Sequence, residues 1–182
     1  MRSCFAILLA ACLAAAPVFA SAEDAPFYPI PPKPDFSSMT FLVGSWSCST
    51  KSERRPAAVK SVDTYSIDPS GYYLVYESKS EAVPWAPFAQ DLKSMITYDP
   101  EIKMWASEVT STFGDYGLSM SSGWVDGKLV WHALNNTPYL DVASNSDLTI
   151  TKVSETKTTS ASAFKTKSGK AVSVNGTCTK SP

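Results

Sequence analysis

Residues 116–135 read YGLSMSSGWVDGKLVWHALN. Asp126-Gly127 stands between two apolar stretches, and Asp-Gly in that setting is a strong signal for a two-residue hairpin turn. On one side, Tyr116–Val125 brings Leu118, Met120 and Trp124 together. On the other, Lys128–Asn135 alternates, setting Leu129, Trp131 and Ala133 against Val130, His132 and Leu134. Strict alternation is the signature of a strand, so this stretch predicts two antiparallel strands joined by a tight turn.

The same period spreads outward over the rest of the chain. Thr40–Thr50 (TFLVGSWSCST) places Leu42, Gly44, Trp46 and Cys48 on one face. Lys60–Ile67 runs to a turn at Asp68-Pro69-Ser70-Gly71, and Tyr72–Lys79 follows. Ser94–Tyr98 leads to Asp99-Pro100-Glu101, then Lys103–Thr112 sets Trp105 and Val109 against Met104 and Glu108. Leu148–Val153, Thr158–Lys165 and Ala171–Thr179 complete the set. Short strands separated by turn residues, about nine or ten in all, with no amphipathic helix, predict an all-β class and an antiparallel meander. Closing such a meander into an up-and-down β-barrel removes its exposed edges. A two-sheet sandwich is the alternative.

The chain has 182 residues, enough for one domain, placed at 40–182. Its net charge of −1 excludes a broadly basic nucleic-acid binder. Residues 1–22 read as a secretory signal peptide. A basic start at Arg2 precedes an apolar run from Phe5 to Ala16, too short to cross a bilayer, and Ala20-Ser21-Ala22 forms an A-x-A cleavage site. The competing reading is a lipobox at Leu9-Ala10-Ala11-Cys12, which would lipidate Cys12. An Ala-rich export signal suggests a bacterial source, hence a periplasmic or secreted protein with no transmembrane segment in its mature part. Residues 23–39 hold Pro26, Pro29, Pro31, Pro32 and Pro34, a density that blocks helix and central strand and predicts an extended arm. Of four cysteines, cleavage near Ala22 leaves Cys48 and Cys178. An oxidising compartment pairs them. A barrel makes its first and last strands neighbours, so the two cysteines can face each other.

The order of these motifs resembles a known group. FLVGSWSC looks like the Gly-x-Trp opening of lipocalin-like (calycin-type) barrels. Met95-Ile96-Thr97-Tyr98-Asp99-Pro100 running to Trp105, Asp115-Tyr116-Gly117, Gly123–Val130, and the closing Leu148–Ser154 are similar to a bacterial family of secreted lipocalin-like barrels of unassigned function. The resemblance spans roughly residues 39–181. It implies a fold and carries no catalytic residues.

The residues themselves offer few groups for chemistry. His132 is the single histidine, and no Gly-x-Ser-x-Gly elbow accompanies it. Paired cysteines leave too few ligands for zinc, so no metal is expected. One histidine suffices as an axial ligand of haem. Haem-binding nitrobindins are small barrels of this kind, but Cys48 and Thr50 stand where their later glycines belong. A packed or surface histidine is the plainer reading, and no cofactor is expected. Glu77 and Glu108 interrupt apolar faces; turned inward, either would serve as acid or base, and turned outward each is an ordinary solvated group.

The most informative irregularity is Glu81–Leu92 (EAVPWAPFAQDL), too long for a hairpin, barred from a sheet by Pro84 and Pro87, yet apolar. An apolar loop of this kind either covers the barrel mouth as a lid or packs on the outer wall. Lys51, Arg54 and Arg55 form a small cationic cluster after the first strand. The expected function is binding of a small apolar or amphipathic molecule inside the barrel. Candidate contacts are Tyr72, Tyr76, Trp85, Phe88 and Met95, with Trp105, Met120, Trp124, Trp131 and His132. The alternatives are a barrel enzyme of isomerase or cyclase type, using a cavity carboxylate or His132, and an envelope interaction module contacted through the Pro-rich arm.

Overall fold

The computed structural model describes residues 30–84, 89–135, 142 and 146–182. The signal peptide with Cys4 and Cys12, most of the Pro-rich arm, and Trp85 and Phe88 lie outside the described residues. The chain divides into two compact units, 1–32 and 33–182, and the whole barrel belongs to the second.

A 3-10 helix, η1 (Ser37–Leu42), leads into β1 (Gly44–Ser52), β2 (Val59–Ile67), β3 (Leu74–Ser80), β4 (Asp91–Asp99), β5 (Met104–Ser111) and β6 (Tyr116–Ser121). The two-residue β7 (Trp124–Val125), β8 (Lys128–Ala133), β9 (Asp147–Ser154), β10 (Lys157–Lys165) and β11 (Ala171–Lys180) follow. Each long strand pairs antiparallel with the next, β11 pairs back onto β1, and β6 pairs with β8. Ten strands thus close an up-and-down barrel, while β7 pairs with β8 alone. The Asp-Gly hairpin is the β7–β8 turn, with positive φ at both Asp126 (49°) and Gly127 (72°), as a tight primed turn requires.

Several stretches differ from the sequence reading: Tyr72 and Tyr73 precede β3, Asp91 and Leu92 belong to β4 rather than to the 81–92 loop, and two further differences have a local reason. Thr40–Leu42 is helical rather than strand. Phe36, Met39 and Leu42 recur every third residue, which is the 3-10 period, and all three are buried. The stretch 116–125 breaks at Ser122-Gly123, where Gly123 holds φ 95° and a Cβ would come within 3.2 Å of Trp105 Nε1.

Pairing fixes which side chains face inward. Leu74 is opposite Ile96, Tyr76 opposite Ser94, Tyr98 opposite Trp105, and Trp131 opposite Leu148. The core gathers where β1 begins. There η1 inserts Met39 and Leu42 beneath Trp46, and Phe36 packs on Trp105 at 5.4 Å between ring centroids. Trp46 Nε1 donates to the Leu42 carbonyl at 2.7 Å, and Lys180 Nζ donates to the Phe41 carbonyl at 2.7 Å. The plug is therefore tied to both the first and the last strand. Cys48 and Cys178 face each other across that same β1–β11 pair and form a disulfide, with Cα atoms 4.1 Å apart.

Candidate functional site

Ten strands enclose more space than their inward side chains fill. Much of the inner face is small: Thr50, Ser94, Ser107, Ser119, Thr158 and Ser160. A barrel of eight strands is just filled by side chains, so ten strands lined with serine leave room. The result is a cavity of about 360 Å³. Met39, Leu42 and Trp46 form its floor, and Ile96, Val109, Leu129, Trp131, Leu148 and Ile150 supply apolar wall. Toward the end opposite η1 it reaches Leu92, Gly117, Ala133, Asn135 and Ser146, close to the β3–β4 and β8–β9 connections.

One wall is polar and organised. Asp63 on β2 is only 7% exposed, beside the disulfide and opposite both Trp46 and Ser78. Asp63 Oδ1 accepts from Ser61 Oγ at 2.8 Å and from Ser78 Oγ at 2.7 Å, and Asp63 Oδ2 accepts from the Tyr76 hydroxyl at 2.9 Å. Tyr65 and Tyr76, opposite each other on β2 and β3, pack with ring centroids 4.8 Å apart. Burial first, and the Asp63 charge second, raises the Tyr65 phenol well above its ordinary value. Tyr76 is raised likewise, by burial, then by Tyr65 and Asp63. Among the described residues lining the cavity, Asp63 is the sole charged side chain; no lysine, arginine or histidine faces it there. The Cys48, Cys178 and Asp63 ligand atoms lie within 4.8 Å of one another, but the two sulfurs are bonded to each other, so the group holds no thiolate for a metal.

The sequence-predicted residues scatter. Tyr76 and Trp131 line the cavity. Trp105 points inward but is buried in the core among Phe36 and Tyr98, and Trp124 packs edge-on against Phe41, 5.2 Å away. Tyr72 lies before β3 in the connection from β2, under Lys33 Nζ at 5.7 Å, rather than on the strand face that carries Leu74 and Tyr76. Met95 is 41% exposed on the outer face, because its neighbours Ser94 and Ile96 take the inner one. Met120 shares an outer-face position with His132 across β6–β8. His132 pairs there with Asp147, Nδ1 to Oδ1 at 3.0 Å, since Trp131 and Ala133 occupy the inside. Glu77 is also external, 3.5 Å from Lys93 Nζ, and Glu108 lies on the outer face of β5 opposite Met95. Lys51, in the cationic cluster, donates from Nζ to the Arg55 carbonyl at 2.6 Å and does not line the cavity.

Asp63 and Tyr65 were missed by sequence reasoning. A signal existed: aspartate is uncommon within strands, and alternation from Val59 places Ser61, Asp63 and Tyr65 on one face.

No known protein family matches the sequence, and no curated protein does. Among solved structures, an S-type phycobiliprotein lyase, CPES, from Guillardia theta superposes with a TM-score of 0.54. It is 15% identical, and the match covers 78% of this chain and 89% of that one. An identity that low speaks to architecture. With the strand pairing, it establishes a closed, antiparallel, lipocalin-like (calycin-type) barrel.

Proposed function

We propose that this protein binds a small apolar or amphipathic molecule inside its barrel. The carrying observation is the cavity of about 360 Å³, floored by Met39, Leu42 and Trp46 and walled by both apolar and hydroxyl side chains. Its size falls within the usual range of roughly 300–1,000 Å³ for small-molecule sites, which are mostly apolar with a few placed polar groups. The likeness to a phycobiliprotein lyase is compatible with a barrel that handles small molecules. Export through cleavage near Ala22 belongs to the same reading, supported by the Cys48–Cys178 disulfide and by a described chain with no helix long and apolar enough to cross a membrane. Connection 81–90 joins strand ends on the side opposite η1, which favours its role as a lid carrying Trp85 and Phe88.

Binding is favoured over catalysis by the way Asp63 is used. Three hydroxyls donate to its carboxylate, an arrangement that holds a charge in place rather than freeing a base. The test is titration with Nile red, a neutral dye that brightens in apolar surroundings. We expect saturable binding of one dye per chain, abolished by Ala133→Trp, which fills the cavity from its wall. Equal dye binding by wild type and Ala133→Trp would place the dye elsewhere and overturn the reading.

A further inference from the structure

We propose that the ligand carries a positively charged amine, received by the Asp63 carboxylate inside the cavity. The inference rests on the cavity-binding reading above and narrows it to a class: an apolar body with one ammonium group.

The argument starts from charge. Asp63 is buried, and the groups that reach its oxygens are the hydroxyls of Ser61, Ser78 and Tyr76. Hydroxyls satisfy hydrogen-bond demand but leave the charge uncompensated, and a buried charge is costly unless paired. No cation among the described residues lines the same space. An ionised carboxylate offers about four acceptor positions. Oδ1 takes two donors and Oδ2 one, so Oδ2 retains a position for a further donor. The Tyr65–Tyr76 ring pair stands beside it, and aromatic faces attract a cation. Away from this corner, Ile96, Leu129, Trp131 and Ile150 supply apolar contact and the remaining polar lining is neutral, so a second charge on the molecule would find no partner among the described residues.

Calorimetric titration with three ligands built on one naphthyl body tests this: naphthylethylamine as its ammonium, the matching alcohol and the matching carboxylate. The ammonium should bind the wild-type protein roughly ten- to a hundred-fold tighter than the alcohol, because it adds an opposite charge to the hydrogen bond that either donor can make, with the carboxylate weakest. Asp63→Asn should erase that preference, bringing the ammonium and the alcohol to similar affinities. The wild-type ranking stands even if the variant fails to fold. Equal affinity for ammonium and alcohol, or tightest binding of the carboxylate, overturns the amine assignment while Nile red binding continues to support the cavity. Loss of Nile red binding as well removes the cavity reading, and the amine assignment with it.

Discussion

Trp46 joins wall, plug and cavity floor in one side chain. It is 1% exposed, and its indole N–H meets the Leu42 carbonyl at 2.7 Å. Trp46→Phe keeps most of the apolar contact but leaves that carbonyl buried without its donor, which costs about 1–3 kcal/mol. Urea unfolding of the variant checks this, and an unchanged midpoint would mean that the bond contributes nothing. The two phenols of the cavity wall give a pH dependence. Tyr65 and Tyr76 are raised above the ordinary 10.0 by burial foremost. When folded they keep their protons at pH values where the unfolded chain releases them. Their contribution to stability is therefore full below about pH 10 and is lost as pH climbs above it. Of eight tyrosines, these two should ionise only as the barrel unfolds, seen by tyrosinate absorbance alongside circular dichroism. Ionisation of all the phenols before any loss of circular dichroism would contradict this. Trp46 was legible from Gly-x-Trp in the sequence, whereas the value of Asp63 was not. Its meaning comes from Ser78 and Tyr76, 15 and 13 residues away, and only strand pairing brings them together.

At the level of elements, the barrel's two seams are unequal. Strands β1 and β11 pair over seven consecutive positions and are tied by the disulfide. Strands β6 and β8 pair at two, Ser119 with Ala133 and Met120 with His132, extended by Leu134 N–H to the Leu118 carbonyl at 2.8 Å. A short ladder opens at lower free energy than a long one. Amide hydrogen exchange should therefore be faster at the β6–β8 contact than along β1–β11, and the reverse order would refute the weak-seam assignment. The seam borders the cavity, since Ser119 and Ala133 line it, so its opening would widen access. Alternation along the chain revealed nearly every strand because a barrel wall is apolar on one side at a time. It failed at η1, where Phe36, Met39 and Leu42 follow a period of three, and at 116–125, where Gly123 yields to Trp105. It also left the inner face of β8 undecided, because both faces of that strand are apolar. Only the partners Leu148 and Ile150 show that Trp131 turns inward and His132 outward.

For the whole molecule, closure depends on bringing together strands at opposite ends of the sequence. Cys48 and Cys178 are 130 residues apart, and they join the strands whose contact completes the barrel. The expectation of export and the barrel topology were enough to anticipate that pairing, because an up-and-down barrel necessarily seats its first strand beside its last. The cavity was harder to foresee: it is what remains after ten strands and many serines fail to fill the interior, a property of the assembled wall rather than of any motif. Cross-linking so long a loop restricts the unfolded chain by about 4–5 kcal/mol in the chain-entropy account. Replacing both cysteines by serine should lower stability by up to that amount in urea unfolding, with the slope of the transition reporting any change in the unfolded state. The bridge also adjoins Asp63 on the cavity wall, so the same variant separates two roles of this corner. If the disulfide only fastens the barrel, the double variant at low temperature should retain its preference for the naphthyl ammonium over the alcohol. Loss of that preference in a still-folded protein would show that the bridge also sets the position of the carboxylate.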